Sequence, residues 1–263
     1  MALIQKGESA MDYNIFQRLG SDLRPGMLLV TSGAAEVGRL DYIARTGREL
    51  NGDPEQDKVD YCAQGQTILM NNYRRFIRPE YGMRQVLVEH QHFNDPQKCE
   101  HICRLLRRAA EQGTIPIINY NDPVSQEEVR KLELDSRRAE GVDVVECVDN
   151  DETAEVVAKL VGAKTLLLLT STEGIYLDRN APSTLVTSIT GDTLEEVQIK
   201  VTELMRCCSG ASRAGAGGAR AKLAYAMRAV EHGTNVIIGH ARHHIEDLLS
   251  GKAECTRLGV GVR

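Results

Sequence analysis

The sequence contains no tryptophan and only three phenylalanines, and aromatic residues make up 4% of it, so any core it builds must be aliphatic. No apolar run approaches the roughly 18 residues that a membrane-spanning helix needs. The opening residues MALIQKGES lack the apolar segment of a secretory signal peptide. The seven cysteines are odd in number, and none stands at CxxC spacing, which predicts reduced thiols in a cytoplasmic protein. Cys99 and Cys103 lie four apart on an expected helix, but no second pair accompanies them as metal ligands. There is no excess of positive charge: 32 basic against 37 acidic residues give a net charge of −5, so bulk electrostatics do not favour nucleic acid. The pairs Arg74/Arg75, Arg107/Arg108 and Arg137/Arg138 sit among acidic residues and read as solvated helix faces. No internal repeat, no low-complexity tract and no Walker A pattern GxxxxGK[ST] is present.

The stretch from Ser209 to Leu223, SGASRAGAGGARAKL, is the most distinctive part of the chain. The run Gly215 to Ala219 cannot form a core layer, but it lets backbone approach a partner closely. Lys222, Leu223, Ala226, Met227 and Val230 then recur at helical spacing, and Gly233 ends the run. A Gly-rich loop feeding a helix N-terminus offers free N–H groups to an anion, and Lys222 in the first turn adds a mobile cation. A flexible surface linker explains the Gly/Ala run equally well.

A chain of 263 residues is one large domain or two small ones. Ala2 to Gln5 reads as a first strand, and Ile15, Phe16 and Leu19 as a short helix closed by Gly20. Met27 to Val30 is a continuous apolar run, as buried parallel strands are, and it leads into Thr31-Ser32-Gly33-Ala34. Residues 45–57 read as an exposed loop. A long helix is expected over Lys58 to Arg78, with Ala63, Ile68, Leu69, Tyr73, Phe76 and Ile77 as its apolar face. Gln85 to Val88 reads as a strand. Pro96 opens a helix with Ile102, Leu105, Leu106 and Ala109 as one stripe. Thr114 to Asn119 is a buried strand running into Tyr120-Asn121-Asp122-Pro123. Ser125 to Glu140 is a charged helix or hairpin. Asp149-Asn150-Asp151 should cap a helix over Thr153 to Gly162. Lys164 to Leu169 reads as a strand ending in Thr170-Ser171. A hairpin is expected from Ile175 to Ile189 around Asn180-Ala181-Pro182. A helix follows over Asp192 to Cys208, capped by Thr190 or Asp192. Asn235 to Ile238 reads as a strand and Ile245 to Leu249 as a last short helix.

Strands alternating with helices predict an α/β fold with an open, mostly parallel sheet sandwiched by helices. Open sheets bind ligands at strand ends. Small or polar residues are expected there at Ser32-Gly33, Asn119 to Asp122, Asp149 to Asp151 and Thr170-Ser171. With the Gly-rich loop, one lysine and several carboxylates, this equipment suits phosphoryl transfer, where positioning and charge neutralisation supply most of the catalysis. His240, His243 and His244 fit a solvated turn better than a metal cluster, for want of a companion Cys or Asp. His90 and His92 are read as exposed positions at a strand end, with a substrate-loop role beside the crevice left open.

The same landmarks, in order, resemble those of the amino acid kinase family, and within it the glutamate 5-kinase branch that includes the kinase domain of pyrroline-5-carboxylate synthase. VTSGAAEVG (Val30 to Gly38) resembles the family's VTSGAVAAG, and GQTILMNNYRRF its GQ..LM..Y...F helix. IPIINYNDPV (Ile115 to Val124) is similar to VPIINENDxV, and Val148-Asp149-Asn150-Asp151 to GDND. LLLLTSTEGIY (Leu166 to Tyr176) resembles LLLLTDxxGLY, and GAGGARAKL (Gly215 to Leu223) resembles GTGGMxTKL. The resemblance implies one amino acid kinase domain over residues 1–263, with a substrate-side lobe to about 160 and a nucleotide-side lobe from 161. The RNA-binding-like C-terminal PUA domain of bacterial relatives is expected to be missing.

The activity it implies is ATP-dependent phosphorylation of the γ-carboxylate of glutamate, the first step of proline synthesis. Ser32, Gly33 and Ala34 would hold the acceptor and the transferring phosphoryl group. Asp122 and Asn150 would bind the substrate's α-amino and carboxylate ends, with Asp149 nearby. Asp151 would orient the catalytic lysines. Thr170, Ser171 and Tyr176 would line the nucleotide pocket. Gly217 and Gly218 would cradle the ATP phosphates, and Lys222 would neutralise the leaving phosphate. Mg²⁺ would travel with ATP, held mainly by phosphates and water. The implied partners are ATP and glutamate or a related small carboxylate, with no nucleic acid and no membrane, in a homo-oligomer.

The chain departs from the family pattern on the phosphoryl side. Gln5 falls where the family has a lysine, and Lys6 comes one residue late, which in a strand reverses the side-chain face. Ser171 replaces an Asp, Ala216 replaces a Thr, and Glu8 brings negative charge to a phosphate turn. The stretch from Ser9 to Ser32 is also short. Lys6 can serve as the second catalytic lysine only if a bulge or the Gly7 turn re-aims it. An active glutamate kinase, a kinase of the same family with another carboxylate or phosphate acceptor, and a catalytically impaired binding or regulatory relative all fit these departures.

Overall fold

The computed structural model describes residues 10–261 except 126, 140, 142–143, 148, 179 and 208–217; side chains at 127–129 are likewise outside the description. The first strand expected at Ala2 to Gln5 therefore lies outside the described residues. The chain divides into two compact units, with the break between Asn150 and Asp151.

The first unit is built as α1 (Tyr13–Asp22), β1 (Leu29–Val30), α2 (Ala34–Thr46), α3 (Pro54–Phe76), β2 (Gly82–Val88), α4 (His90–Asn94), α5 (Pro96–Glu111), β3 (Thr114–Tyr120), a 3₁₀ turn at Asp122–Val124 and α6 (Glu127–Ala139). Its three strands form a parallel sheet of order β1-β3-β2, with Leu29 opposite Ile117 and Gln85 also opposite Ile117. The central strand is the buried TIPIIN run, with Ile115, Ile117 and Ile118 fully enclosed. An aliphatic strand between two neighbours buries both faces, as continuous apolar runs do.

The few aromatics are concentrated here. Phe16 packs edge-on against Tyr73 at 5.0 Å, and both are buried. The first helix does not stop at Gly20. It continues to Asp22, and Gly20 serves contact instead, because a Cβ there would lie 2.4 Å from the Phe76 carbonyl carbon. Residues 45–57 are not one loop: α2 reaches Thr46, and Asp53 caps α3 by accepting from the N–H groups of Glu55 and Gln56, with Pro54 in the first turn. Nor is Ala63 on the apolar face; the buried side of α3 is Tyr61, Cys62, Gly65, Gln66, Leu69, Met70, Asn72 and Tyr73. Two glycines allow α2 and α3 to touch backbone to backbone. A Cβ on Gly38 would stand 1.9 Å from the Tyr61 carbonyl oxygen, and one on Gly65 would stand 1.8 Å from that of Ala34. The charged segment after residue 125 is helix α6.

The second unit runs α7 (Asn150–Val161, whose first residue belongs to the first unit), β4 (Thr165–Thr170), β5 (Ile175–Tyr176), a 3₁₀ turn at Pro182–Thr184, β6 (Leu185–Val186), β7 (Ser188–Gly191), α8 (Leu194–Cys207), α9 (Gly218–Glu231), β8 (Asn235–His240), α10 (Ile245–Ser250) and β9 (Cys255–Val260). Its main sheet has the order β4-β8-β9-β7; β8 and β9 are antiparallel, and the other two pairings are parallel. The strand β9 answers to no sequence signal recognised above, because CTRLGV alternates poorly. It is nonetheless central, with Thr256 and Leu258 fully buried. The expected hairpin is only β5 with β6; β7 leaves it and pairs with β9. Helix α8 is capped by Thr193 rather than Thr190 or Asp192: its Oγ1 accepts from the Glu196 N–H, and Glu196 Oε2 accepts from the Asp192 N–H. The apolar face of α9, Leu223, Ala226, Met227, Ala229 and Val230, packs into a core with Ile189, Val197, Ile238 and Leu258.

Candidate functional site

In the first unit the site is built on the turn from β1 to α2. The Thr31 N–H donates to the Ile118 carbonyl at 2.8 Å, which extends the sheet pairing by one residue. Its hydroxyl pairs with the Tyr73 hydroxyl at 2.7 Å in a buried contact. Burial pushes the Tyr73 phenol above its ordinary range, so it stays neutral. Ser32 is half-buried, and Gly33 occupies the cap position of α2 at φ 104°, a conformation that glycine adopts without strain. Among the described residues no side chain caps this helix. Its first-turn N–H groups, beginning with Ala34, have no intrahelical acceptor and suit an anion.

The end of β3 faces the same helices. Asn119 Nδ2 donates to Gln66 Oε1 at 2.8 Å, and both residues are buried. Asn121 donates from its backbone to Val88 at 2.9 Å and from Nδ2 to Glu89 Oε1 at 3.0 Å. Asp122 opens the 3₁₀ turn, and its carboxylate sits against the thiol of Cys62. Burial raises the Asp122 carboxyl above the usual range, against the opposing pull of Lys58 and Arg130. The same burial, then the Asp122 charge, pushes the Cys62 thiol up to about 12.

His90 and His92 are not exposed strand-end residues. They belong to α4, where His90 is buried with Nε2 2.7 Å from Glu133 Oε2, and His92 Nδ1 accepts from the Glu89 N–H.

Residues 144–147, the described residues just before Asp149, are not in a strand, so no strand end is found there among the described residues; 142, 143 and 148 lie outside them. Asn150 and Asp151 do not merely precede a helix; they form the first turn of α7. Asn150 Oδ1 is buried without a hydrogen-bond partner among the described residues.

In the second unit, Lys222 and Asp151 form an ion pair, with side chains 18% and 27% exposed. Lys222 is the fifth residue of α9, one turn further in than expected. Gly218 opens that helix at φ 61°. Thr170 ends β4 opposite His240, and Ser171 follows it, half-buried. Glu173, three residues beyond the end of β4, carried no signal in the sequence. It is buried, paired with Arg242, and its Oε2 lies 2.6 Å from His243 Nε2. His243 is thus held by a carboxylate rather than simply solvated. No group of three or more metal-binding side chains occurs among the described residues. Tyr176, on β5, has its phenol raised by burial and by the charge of Glu173. Gly217 and Lys6, with the departures at Gln5, Glu8 and Ala216, lie outside the described residues. The structure therefore joins Lys222 to Asp151, and Asp122 to Cys62.

The family model described as the amino acid kinase family matches residues 13–240. Among curated relatives, the glutamate 5-kinase of Shouchella clausii is 31% identical over 89% of this chain and 57% of its own length. That of Clostridium perfringens is 29% identical over 86% and 78%, and that of Geobacillus kaustophilus 32% identical over 93% and 59%. The chain spans less than two thirds of the length of two of these three. Among solved structures, carbamate kinase from Giardia lamblia bound to AMP-PNP superposes with a TM-score of 0.59 at 14% identity, covering 98% of this chain and 95% of that one. This likeness shows a shared fold.

Proposed function

This chain belongs to the amino acid kinase family, and on that premise we propose that it transfers the γ-phosphoryl group of ATP to the γ-carboxylate of glutamate. The single observation that carries the reading is the ion pair of Lys222, on the helix after the Gly-rich run of the sequence, with Asp151. In this reading a γ-carboxylate oxygen attacks the γ-phosphorus, and the bond from that phosphorus to the β,γ-bridging oxygen breaks. The products are γ-glutamyl phosphate and ADP. Lys222 neutralises charge on the leaving phosphate, and Asp151 holds its ammonium group in place. Gly217 and Gly218 let backbone N–H groups reach the phosphates, while Thr170, Ser171 and Tyr176 border the nucleotide. Such charge-stabilising groups act without reorganisation because they are positioned beforehand.

The first unit supplies the acceptor groups. The uncapped N-terminus at Ser32, Gly33 and Ala34 takes the reacting carboxylate and incoming phosphoryl group. Asp122 takes the ammonium group of the amino acid, and Asn150 offers its unpartnered Oδ1, with Asp149 beside it. Mg²⁺ in this reading travels with ATP, held mainly by the phosphates and water, as this ion prefers. When bound, that ion neutralises phosphate charge. A homo-oligomer belongs to the same reading. No helix of the described residues is long and apolar enough to cross a membrane.

The experiment is ATP-dependent γ-glutamyl phosphate formation, trapped with hydroxylamine, with ATP binding measured by calorimetry on the same sample. Hydroxamate formed with glutamate and not with aspartate supports the reading. ATP binding without hydroxamate shifts the acceptor to another carboxylate or phosphate. A second reading, a nucleotide- or amino-acid-binding regulatory relative, is favoured by Gln5 and Ser171, which remove two phosphoryl-side groups of the family pattern. ATP binding without turnover on any acceptor supports that reading over the first, and silence in both assays means that these departures have disabled the site.

A further inference from the structure

Gln66 is only 7% exposed, and one half of its carboxamide is spoken for: Oε1 accepts from Asn119 Nδ2 at 2.8 Å. The other half is not. Its Nε2 is buried with no hydrogen-bond partner among the described residues. A buried amide donor left in this state suffers the full loss of its water contacts. A bound ligand is one way in which such a donor is satisfied.

The neighbourhood indicates which ligand. Cys62 lies one helical turn before Gln66 on the buried face of α3, and its thiol sits against the Asp122 carboxylate. Side chains four apart on a helix have Cβ atoms about 5–6 Å from each other. Two polar couples, Gln66 with Asn119 and Cys62 with Asp122, therefore run side by side from α3 to the C-terminal end of β3. One ends in a carboxylate that can accept from an ammonium group. The other ends in an N–H donor that can serve a carboxylate. An α-amino acid carries both groups on one carbon.

We propose that Nε2 of Gln66 donates to the α-carboxylate of the acceptor while Asp122 receives its ammonium group, so that this pair restricts acceptors to free α-amino acids. The inference rests on the reading that the first unit holds the acceptor. Gln66 is on this account a specificity-determining residue that touches the substrate away from the reacting carboxylate. If Gln66 served only to hold Asn119, a glutamate in its place would do so equally well through the same oxygen.

Gln66→Glu is accordingly the diagnostic variant. It keeps the oxygen that accepts from Asn119 and exchanges the free donor for a second oxygen. Calorimetric titration of the full chain with L-glutamate and with its α-carboxamide, isoglutamine, is the binding measurement, and the hydroxamate assay gives KM and kcat. Wild type is expected to prefer glutamate. In the variant, glutamate affinity should fall by about 10–100-fold, the scale of one hydrogen bond to a charged group. The loss should appear in KM with kcat largely kept. Isoglutamine, whose amide can donate in return, should lose far less. Unchanged glutamate affinity, or equal losses for both ligands, would overturn the assignment while leaving the kinase reading intact.

If Gln66→Glu does not fold, Gln66→Met decides instead. Loss of glutamate affinity with normal ATP binding supports the assignment, and retained affinity overturns it. If wild type binds neither ligand, the acceptor reading and this inference fall together, and that outcome is distinct because the unmutated protein is silent.

Discussion

Lys222 and Asp151 meet as an ion pair although 71 residues separate them in sequence. The lysine comes from α9, the aspartate from the first turn of α7, and each side chain is largely shielded from solvent. Asp151 also lies at a helix N-terminus, where the backbone favours negative charge. The pair holds the lysine's ammonium group in a fixed orientation.

Lys222→Ala is expected to lower kcat by roughly 10²–10³, the usual cost of losing one positioned charge-stabilising group. Lys222→Arg should recover part of the rate, since it keeps the charge but not the geometry. Single-turnover phosphoryl transfer measures both; full activity in the alanine variant would remove Lys222 from the reaction.

Gly65→Ala should destabilise the first unit severely, because the new methyl would stand 1.8 Å from the Ala34 carbonyl oxygen. Overpacking of this sort costs about 1–3 kcal/mol, and more where backbone must move. Urea unfolding of the variant against wild type gives the number, and Gly113→Ala, where a Cβ meets open space but φ is 63°, separates clash from backbone strain.

Asp122→Asn should raise stability while abolishing acceptor binding. The folded carboxyl is raised above its unfolded value, so the native state holds its proton more tightly than the unfolded chain does. Stability therefore falls as pH climbs from the unfolded pKa through the folded one, and the deficit persists above it. The variant lacks that deficit. Its melting temperature should exceed that of wild type at pH 8, with the two converging in acid below the ordinary carboxylate range.

Cys62 should resist alkylation at neutral pH. Its thiol is buried and pushed up to about 12, so almost no thiolate forms. Cys207 is exposed and should react first with iodoacetamide. Peptide mass spectrometry over time resolves the two; rapid native labelling of Cys62 would contradict the burial that sets its pKa.

Gln5→Lys should raise kcat by restoring a cation at the position where the family pattern has one. An unchanged rate in the same phosphoryl-transfer assay would mean that Lys6 or another cation already serves there.

Local physics made much of this protein legible in one dimension. The TIPIIN strand, the helix opened by Pro96, the stripe of Ile102, Leu106 and Ala109, and the helix carrying Leu223 to Val230 all follow from apolar spacing and end signals. The Ser32-Gly33-Ala34 turn was readable too, because small residues after a buried strand have few other uses. Tertiary structure alone decided the rest. Only packing places poorly patterned β9 in the middle of a sheet, since pairing on both sides compensates for weak propensity. Only packing turns Gly38 and Gly65 into a helix–helix contact, sets Cys62 against Asp122, and closes Glu173 on Arg242 and His243. Those relationships join residues far apart in sequence through single side-chain atoms. Periodicity reports which face of an element is buried, but not which atom on another element it will meet.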